Sequence, residues 1–289
     1  MTMEISQQDA LPQMSNDELA CWITLLTERT GMSLPDERRS YFITSIGLRM
    51  RELGCQSYSE YRQRVVKDGV EGAVEWAALV DRLTVHETRF FRHPHSLKLV
   101  SRELLRQFAQ PQPGVTQPLN IWSVGCSTGE ETYSLAMLVD DLSSELSGMS
   151  YPAIVGTDIS LPSLATAKKA LYSHRQVRRV EASYASRYFE AISDTHYKIA
   201  QRIRERICFV QMNIVEPCTI PLPMMNVIYC QNVLIYFDKD MRTKILNQLS
   251  AHLAPGGVLV LGVGEAYDWV HPQLMKISEE NTLAFRKCD

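Results

Sequence analysis

The stretch WSVGCSTGEE, Trp122 to Glu131, decides how this chain folds. An apolar run closes at Val124, Gly125 opens a series of small residues that lasts to Gly129, and two glutamates follow at once. That is a buried strand turning tightly into a helix, with glycine where backbone must approach a ligand closely. The turn resembles a nucleotide-binding strand-to-helix loop, yet it reads GxxxG rather than GxGxxG. The difference is chemical. A pyrophosphate needs bare amides at a helix N-terminus, and Glu130 and Glu131 in the first turn would repel it. Carboxylates there suit a cationic ligand; the bland alternative is that both acids only complement the helix dipole.

Working outward from that turn, strands alternate with helices from Leu119 onward, which implies a parallel sheet covered on both faces. The strands are LNIWSVG, YPAIVGTDI, RICFVQMNI, NVIYCQNVL and GVLVLGVG, with a closing pair near Leu274–Ile277 and Thr282–Arg286. Helices start near Glu130, Leu161 and Asp240. One segment, 174–206, is too long for a simple connection. Tyr197, Ile199, Ile203, Ile207 and Phe209 alternate with Lys198, Arg202, Arg204 and Arg206, a period of two that predicts extended strand with one wet face. The segment reads as a small inserted β-subdomain carrying a local positive patch.

Upstream, 15–84 predicts an all-α domain. Ser15 and Glu18 suggest a capping box, as do Ser57 and Glu60. A second helix is expected from about Pro35 to Leu53, stopped by Gly54, and another over Val74–Leu83. Residues 85–118 form a linker and a connecting helix (Pro94 to Phe108) that ends in QPQPGVTQP, where prolines and glycine break regular structure. The remainder, 119–289, is the α/β domain. The 289 residues suit two domains. A net charge of −3 argues against wholesale nucleic-acid binding, and no apolar run reaches the roughly 20 residues a bilayer requires. Seven scattered cysteines with no CxxC pair, and an N-terminus unlike a signal peptide, predict a reduced, cytoplasmic, metal-free protein.

Four further motifs carry chemistry. Asp158, ending IVGTDIS, can accept bonds from both ribose hydroxyls; alternatively it caps the next helix. Asn213 in FVQMNIVE can read an adenine edge, or merely form a turn. Gln231-Asn232 in YCQNVLIYF ends a strand at the carboxyl edge, where open α/β sheets bind ligands, and Tyr236 follows. In TVHETRFFRHP, Phe90 and Phe91 beside Arg89 and Arg92 are hard to explain as core alone. With an acid at each of two adjacent strand tips, S-adenosylmethionine fits as the cationic ligand: its ammonium at Glu130, its sugar at Asp158.

Together these motifs resemble the CheR family of chemoreceptor glutamate methyltransferases. The combination T-x-x-x-T-x-F-F-R, G-x-S-T-G-E-E and N-V-x-I-Y-F, in that order, is highly specific, and the likeness covers nearly the whole chain. It implies a Rossmann-like methyltransferase domain with an inserted antiparallel β-subdomain, preceded by a helical domain. It also implies a cofactor site lined by His86, Thr88, Arg92, Gly125, Glu130, Asp158, Asn213, Ile214, Gln231 and Asn232. Arg92 and Tyr236 would lie nearest the methyl transfer, and basic residues of the second helix, Arg38, Arg49 and Arg51, would meet a cytoplasmic receptor helix. The reaction would leave S-adenosylhomocysteine and a glutamate methyl ester. Two positions depart from the family pattern, which has Asn at His86 and Arg at Gln231. The β-subdomain is also slightly shorter than in members that tether to a receptor's C-terminal peptide, which weighs against that tether. Two rival readings are a same-fold methyltransferase acting on a small molecule and a non-catalytic module that senses S-adenosylmethionine or docks receptors. A nucleotide-dependent oxidoreductase is disfavoured by the acidic pair after the glycine turn.

Overall fold

A computed structural model describes residues 11–84, 87–109, 116–146, 148–150, 152–216 and 221–288. The chain divides into two compact units, Met1–Val85 and His86–Asp289.

Among the described residues the first unit holds four α-helices: α1 (Asn16–Thr30), α2 (Arg39–Glu52), α3 (Tyr58–Val66) and α4 (Val70–Leu83). Ser15 and Glu18 close the expected capping box on α1, and Gly31 ends that helix in the left-handed conformation that glycine adopts without strain. Ser57 caps α3 by accepting from Glu60 N, whereas the Glu60 carboxylate turns to Gln56 N, so only half of the second box forms. Before α2 a short 3-10 turn covers Asp36–Arg38, so Arg38 precedes the α-helix instead of lying on it. The core is built on Trp22, Phe42, Ile46, Tyr61 and Leu79.

An ion network ties α2, α3 and α4 together. Arg49 grips the buried Glu75 with both prongs of its guanidinium, Nε to Oε1 at 2.9 Å and Nη2 to Oε2 at 2.7 Å. Tyr61 Oη donates to the same carboxylate at 2.7 Å. Arg49 also donates to Glu52 at 3.1 Å, and Arg82 donates to Glu52 at 2.6 Å. The sequence turns Arg49 toward an acidic partner helix; in the structure its fork is instead committed to Glu75 inside the unit.

The second unit opens with α5 (Pro94–Gln107), then β1 (Asn120–Val124), α6 (Glu130–Asp141), β2 (Ala153–Asp158) and α7 (Leu161–Lys169). The inserted segment follows: β3 (Leu171–Ser173), α8 (His174–Val177), α9 (Ala182–Tyr188), β4 (Phe189–Ala191), β5 (His196–Ile199) and α10 (Gln201–Arg204). The chain then returns through β6 (Ile207–Gln211), β7 (Met225–Cys230), α11 (Lys239–Ala251), β8 (Leu253–Leu261), β9 (Leu274–Lys276) and β10 (Leu283–Lys287). The main sheet runs β6-β2-β1-β7-β8-β10-β9. Its pairs are parallel from β6 to β8, while β10 lies antiparallel to both β8 and β9. Connections leave β1 toward β2 on one side and reach β7 on the other, so the tip of β1 lies at the reversal point where such sheets bind ligands. Ile121, Trp122 and Val124 are buried; at about 1.5–3 kcal/mol per large apolar side chain, this strand anchors the core. The connecting helix belongs to the same core through Leu97, Leu99, Val100 and Leu104.

The insert is a three-stranded antiparallel sheet, β3-β5-β4. The continuous strand expected over 197–209 is interrupted by α10 and splits between two sheets. Ile199 and Ile203 are four apart, a spacing that suits one helix face as well as alternate strand positions; Ile199 ends β5 and Ile203 lies on α10, and both are fully buried. The expected basic patch is also partly neutralised from outside the insert. Arg206 pairs with Asp140 at 2.7 Å and Arg187 with Asp141 at 2.6 Å, both on α6.

Candidate active site

The loops at the carboxyl ends of β1, β2 and β7 meet around the glycine turn. Gly125 has φ +68°, and a Cβ there would come within 2.4 Å of Val233 Cγ2. Gly129 has φ +93° and faces Ala167 Cβ at 2.8 Å. Both must therefore be glycine, for backbone conformation and for space. Left-handed backbone also occurs at Phe91, Ser127 and Asn232. Residues so held cost of order 1–3 kcal/mol each and persist where surrounding contacts enforce them. At Phe91, its N–H donates to Ser134 Oγ at 2.9 Å and its ring packs edge-on to Tyr184. Phe90 is buried edge-on to Tyr172 and Phe189. Phe90 is thus core and Phe91 packs half-buried against it, fastening the segment before α5 to α6 and the insert.

Glu130 begins α6 and is buried. Its carboxylate accepts from Thr128 Oγ1 at 2.6 Å and from Gln176 Nε2 at 2.9 Å. Burial raises its pKa, against those two donors. Asp158 ends β2. Its Oδ2 accepts from Ser127 N at 2.7 Å and its Oδ1 from Ser160 N at 2.8 Å, so one carboxylate ties the glycine turn to the next loop. The cap of α7 is Ser160, not Asp158. Glu131 accepts from Ser123 Oγ at 2.8 Å. These three acids and a turn without free phosphate-binding geometry fit a cationic ligand.

At the β7 tip, Gln231 is buried and donates to Ser96 Oγ at 2.9 Å, linking the strand to the first turn of α5. Asn232 Nδ2 lies 3.0 Å from His93 Nε2. Burial, with Arg92 and Arg89 nearby, lowers the His93 pKa, so the neutral ring accepts from the amide. Arg92 donates from Nη1 to the Glu87 carbonyl, and its charge reaches Glu131. Tyr236 ends a 3-10 turn (Leu234–Tyr236) ahead of α11.

A second buried carboxylate organises this loop. Glu265 accepts from Gly262 N at 2.7 Å, Leu234 N at 2.9 Å and Asn232 N at 3.2 Å. Burial raises its pKa even so. It sets the course of the whole segment between Asn232 and Tyr236.

Two family models match this chain: CheR methyltransferase, SAM binding domain, over residues 86–283, and CheR methyltransferase, all-alpha domain, over residues 17–84. The chain belongs to the CheR methyltransferase family. It is 34% identical over 241 residues to Chemotaxis protein methyltransferase 2 of Vibrio cholerae, covering 83% of this chain and 82% of that protein. It is 30% identical over 248 residues to Chemotaxis protein methyltransferase Cher2 of Pseudomonas putida, covering 84% and 88%. With the chemotaxis protein methyltransferase of Vibrio anguillarum it shares 31% identity over 255 residues, covering 88% and 90%. This CheR-family chain is therefore a methyltransferase whose cofactor is S-adenosylmethionine.

Of the residues that the sequence singles out in the CheR pattern, Gly125, Glu130, Asp158, Gln231 and Asn232 gather at neighbouring strand tips, with Arg92 beside them. Thr88 is half-buried in the irregular segment before Arg92, and Ile214 is buried just after β6. His86 lies outside the described residues. Asn213 shows the turn-forming alternative in its hydrogen bonds. Its Nδ2 donates to Glu216 at 3.0 Å and its Oδ1 receives Val215 N at 3.4 Å, so its amide shapes its own turn. Sequence reasoning missed His93, Ser96, Gln176 and Glu265. Each has a partner more than 30 residues away along the chain; the local signals that exist, the Ser173–Gln176 capping box and the Gly262–Glu265 turn, do not reveal those distant partners. Arg38 and Arg51 flank the ends of α2 in the helical unit. Among the described residues no group of three or more His, Cys, Asp or Glu could hold a metal ion, and no helix is long and apolar enough to cross a membrane.

Proposed function

We propose that this chain transfers a methyl group to glutamate side chains of a chemoreceptor, forming methyl esters, as a protein-glutamate O-methyltransferase acting in the cytoplasm. The cofactor, when bound, supplies a methyl group on a positively charged sulfur. Glu130 holds the ammonium end and Asp158 the two ribose hydroxyls. Ile214 and the backbone of the Asn213 turn take the adenine, while Thr88, Gln231 and Asn232 complete the wall. Arg38 and Arg51 are the remaining basic contacts for the acidic receptor helix.

The observation that carries this reading is Arg92, a guanidinium anchored on the Glu87 carbonyl and within electrostatic reach of Glu131. A substrate glutamate, with an ordinary pKa near ~4.3, arrives ionised and needs no general base. Arg92 orients it through a bidentate fork, which suits carboxylate geometry. The Tyr236 hydroxyl positions the reacting groups. Opposite charges cancel as the bond forms, so water would stabilise the reactants more than the transition state. Alignment and water exclusion then supply most of the acceleration. A macromolecular substrate is supported by the loop that Glu265 fastens, where Val263, Tyr267 and Val270 stand 72%, 82% and 86% exposed.

The test is transfer of a labelled methyl group to receptor-containing membranes, followed by alkali. Counts released as methanol are expected, the signature of a carboxyl ester. Alkali-stable counts would mean methylation at nitrogen, and no counts would leave a cofactor-binding module.

A further inference from the structure

Glu131 is the acid in the crevice to which the reading above gives no task. It lies in the first turn of α6, one residue beyond the carboxylate assigned to the ammonium group. Its hydrogen-bond partner is Ser123 Oγ at 2.8 Å, itself bonded by Thr132 Oγ1 at 3.0 Å. Among the described residues no cation comes within ion-pairing distance of it. Glu131 is itself half-buried, and the contrast with the fully buried acids of the molecule is sharp. Glu75 has Arg49, Glu103 has Arg286 and Arg106, and Asp140 has Arg206. Glu265 accepts at least three backbone amides. Glu130 has two side-chain donors.

A carboxylate even partly withdrawn from water is costly unless a counter-charge or several donors compensate it. The groups that face Glu131 do not compensate it. Asp158 from β2 and Glu265 beyond β8 repel its charge, Arg92 offers partial relief at longer range, and Cys126, Tyr229 and Cys230 are neutral neighbours. The free protein therefore favours the protonated form, with a pKa pushed up to about 8, chiefly by burial. An uncompensated acid in a crevice that receives a cation implies that the ligand brings the missing charge.

We propose that Glu131 is the counter-ion of the cofactor's sulfonium, and that it is the group by which the protein distinguishes S-adenosylmethionine from its uncharged-sulfur product. On binding, the Glu131 carboxyl gives its proton to solvent and its negative charge remains opposite the sulfonium. After methyl transfer the sulfur is neutral, the carboxylate again lacks a partner, and recovery of a proton favours product release. The inference rests on the cofactor of the reading above and is independent of its substrate.

Calorimetry of the full chain with each nucleoside, without receptor, tests it. Glu131→Gln keeps the acceptor for Ser123 and removes only the charge. In this variant affinity for S-adenosylmethionine is expected to fall about tenfold or more, with affinity for S-adenosylhomocysteine nearly unchanged; retained product binding also reports an intact fold. Wild-type affinity for S-adenosylmethionine should rise from pH 6 to about 8 with proton release, and the Gln variant should lose that part of the slope. An equal loss for both nucleosides, no loss for either, or an unchanged pH slope would each overturn the proposal. Absence of methyl transfer to receptors, with this discrimination intact, would instead count against the proposed substrate.

Discussion

Asp158→Ala is expected to lower affinity for S-adenosylhomocysteine by at least a hundredfold while the protein remains folded. Two losses combine. The variant removes the carboxylate proposed to accept both ribose hydroxyls, and hydrogen bonds to a charged group are worth about 1.5–3 kcal/mol each. It also strands the amides of Ser127 and Ser160, which lose acceptors at 2.7 and 2.8 Å. The glycine turn, with Ser127 at φ +49°, would lose the tie that holds it in place. Asp158→Asn should not rescue binding, because one end of an amide would present a donor to a donor. Calorimetry checks the affinity, and a single cooperative thermal transition, at a lowered midpoint, checks that the protein still folds. Unaltered affinity would confine Asp158 to tying the two loops together.

Arg49→Met is expected to destabilise the helical unit by about 3–5 kcal/mol, the usual cost of leaving a buried charge without its partner. For a unit of this size that lowers the midpoint of its thermal transition by at least about 12 °C. The argument rests on Glu75, which is 6% exposed and receives three donors, two of them from Arg49. Burial alone would raise the Glu75 pKa; Arg49 and then Tyr61 reverse this and hold it below the ordinary value. The sign for pH follows. Glu75 binds fewer protons folded than unfolded, so the stability it contributes is complete above its unfolded value near ~4.3 and is lost as pH falls through the depressed folded value. Arg49→Met should flatten that acid limb. A variant with unchanged melting would show the network to be a surface feature of little energetic weight. Loss of receptor methylation in any Arg49 variant is accordingly to be read through this stability effect first.

The main sheet could be read from sequence because parallel strands buried on both faces appear as near-continuous apolar runs, as in NVIYC and GVLVL, and each such run became a strand. The glycine turn could be read because its residues are contiguous and each has a backbone or charge reason to be there. What escaped involves partners distant along the chain. Glu265 looks like an ordinary loop acid until the fold brings the Asn232–Leu234 amides to it. Gln176 lies in a segment read for its arginines, yet it reaches Glu130. Arg49 borders an apolar helix face, which sequence alone reads as an outward grip; its partner Glu75 lies two helices later. The Ile199–Ile203–Ile207 spacing fits helix and strand alike, and the chain uses both: Ile199 and Ile207 lie on strands of two different sheets, and Ile203 lies on the helical turn between them. For Asn213 the simpler of two readings describes its side chain, because Asn readily satisfies its own turn.

The central claim, a sulfonium cofactor lying across the tips of β1, β2 and β7, is tested most directly by a crystal structure of the full chain with S-adenosylhomocysteine. The predicted density has its amino group at Glu130, its ribose hydroxyls on Asp158 and its thioether sulfur facing Glu131. A nucleoside bound elsewhere, or held in the reverse orientation with its ribose away from Asp158, would contradict it.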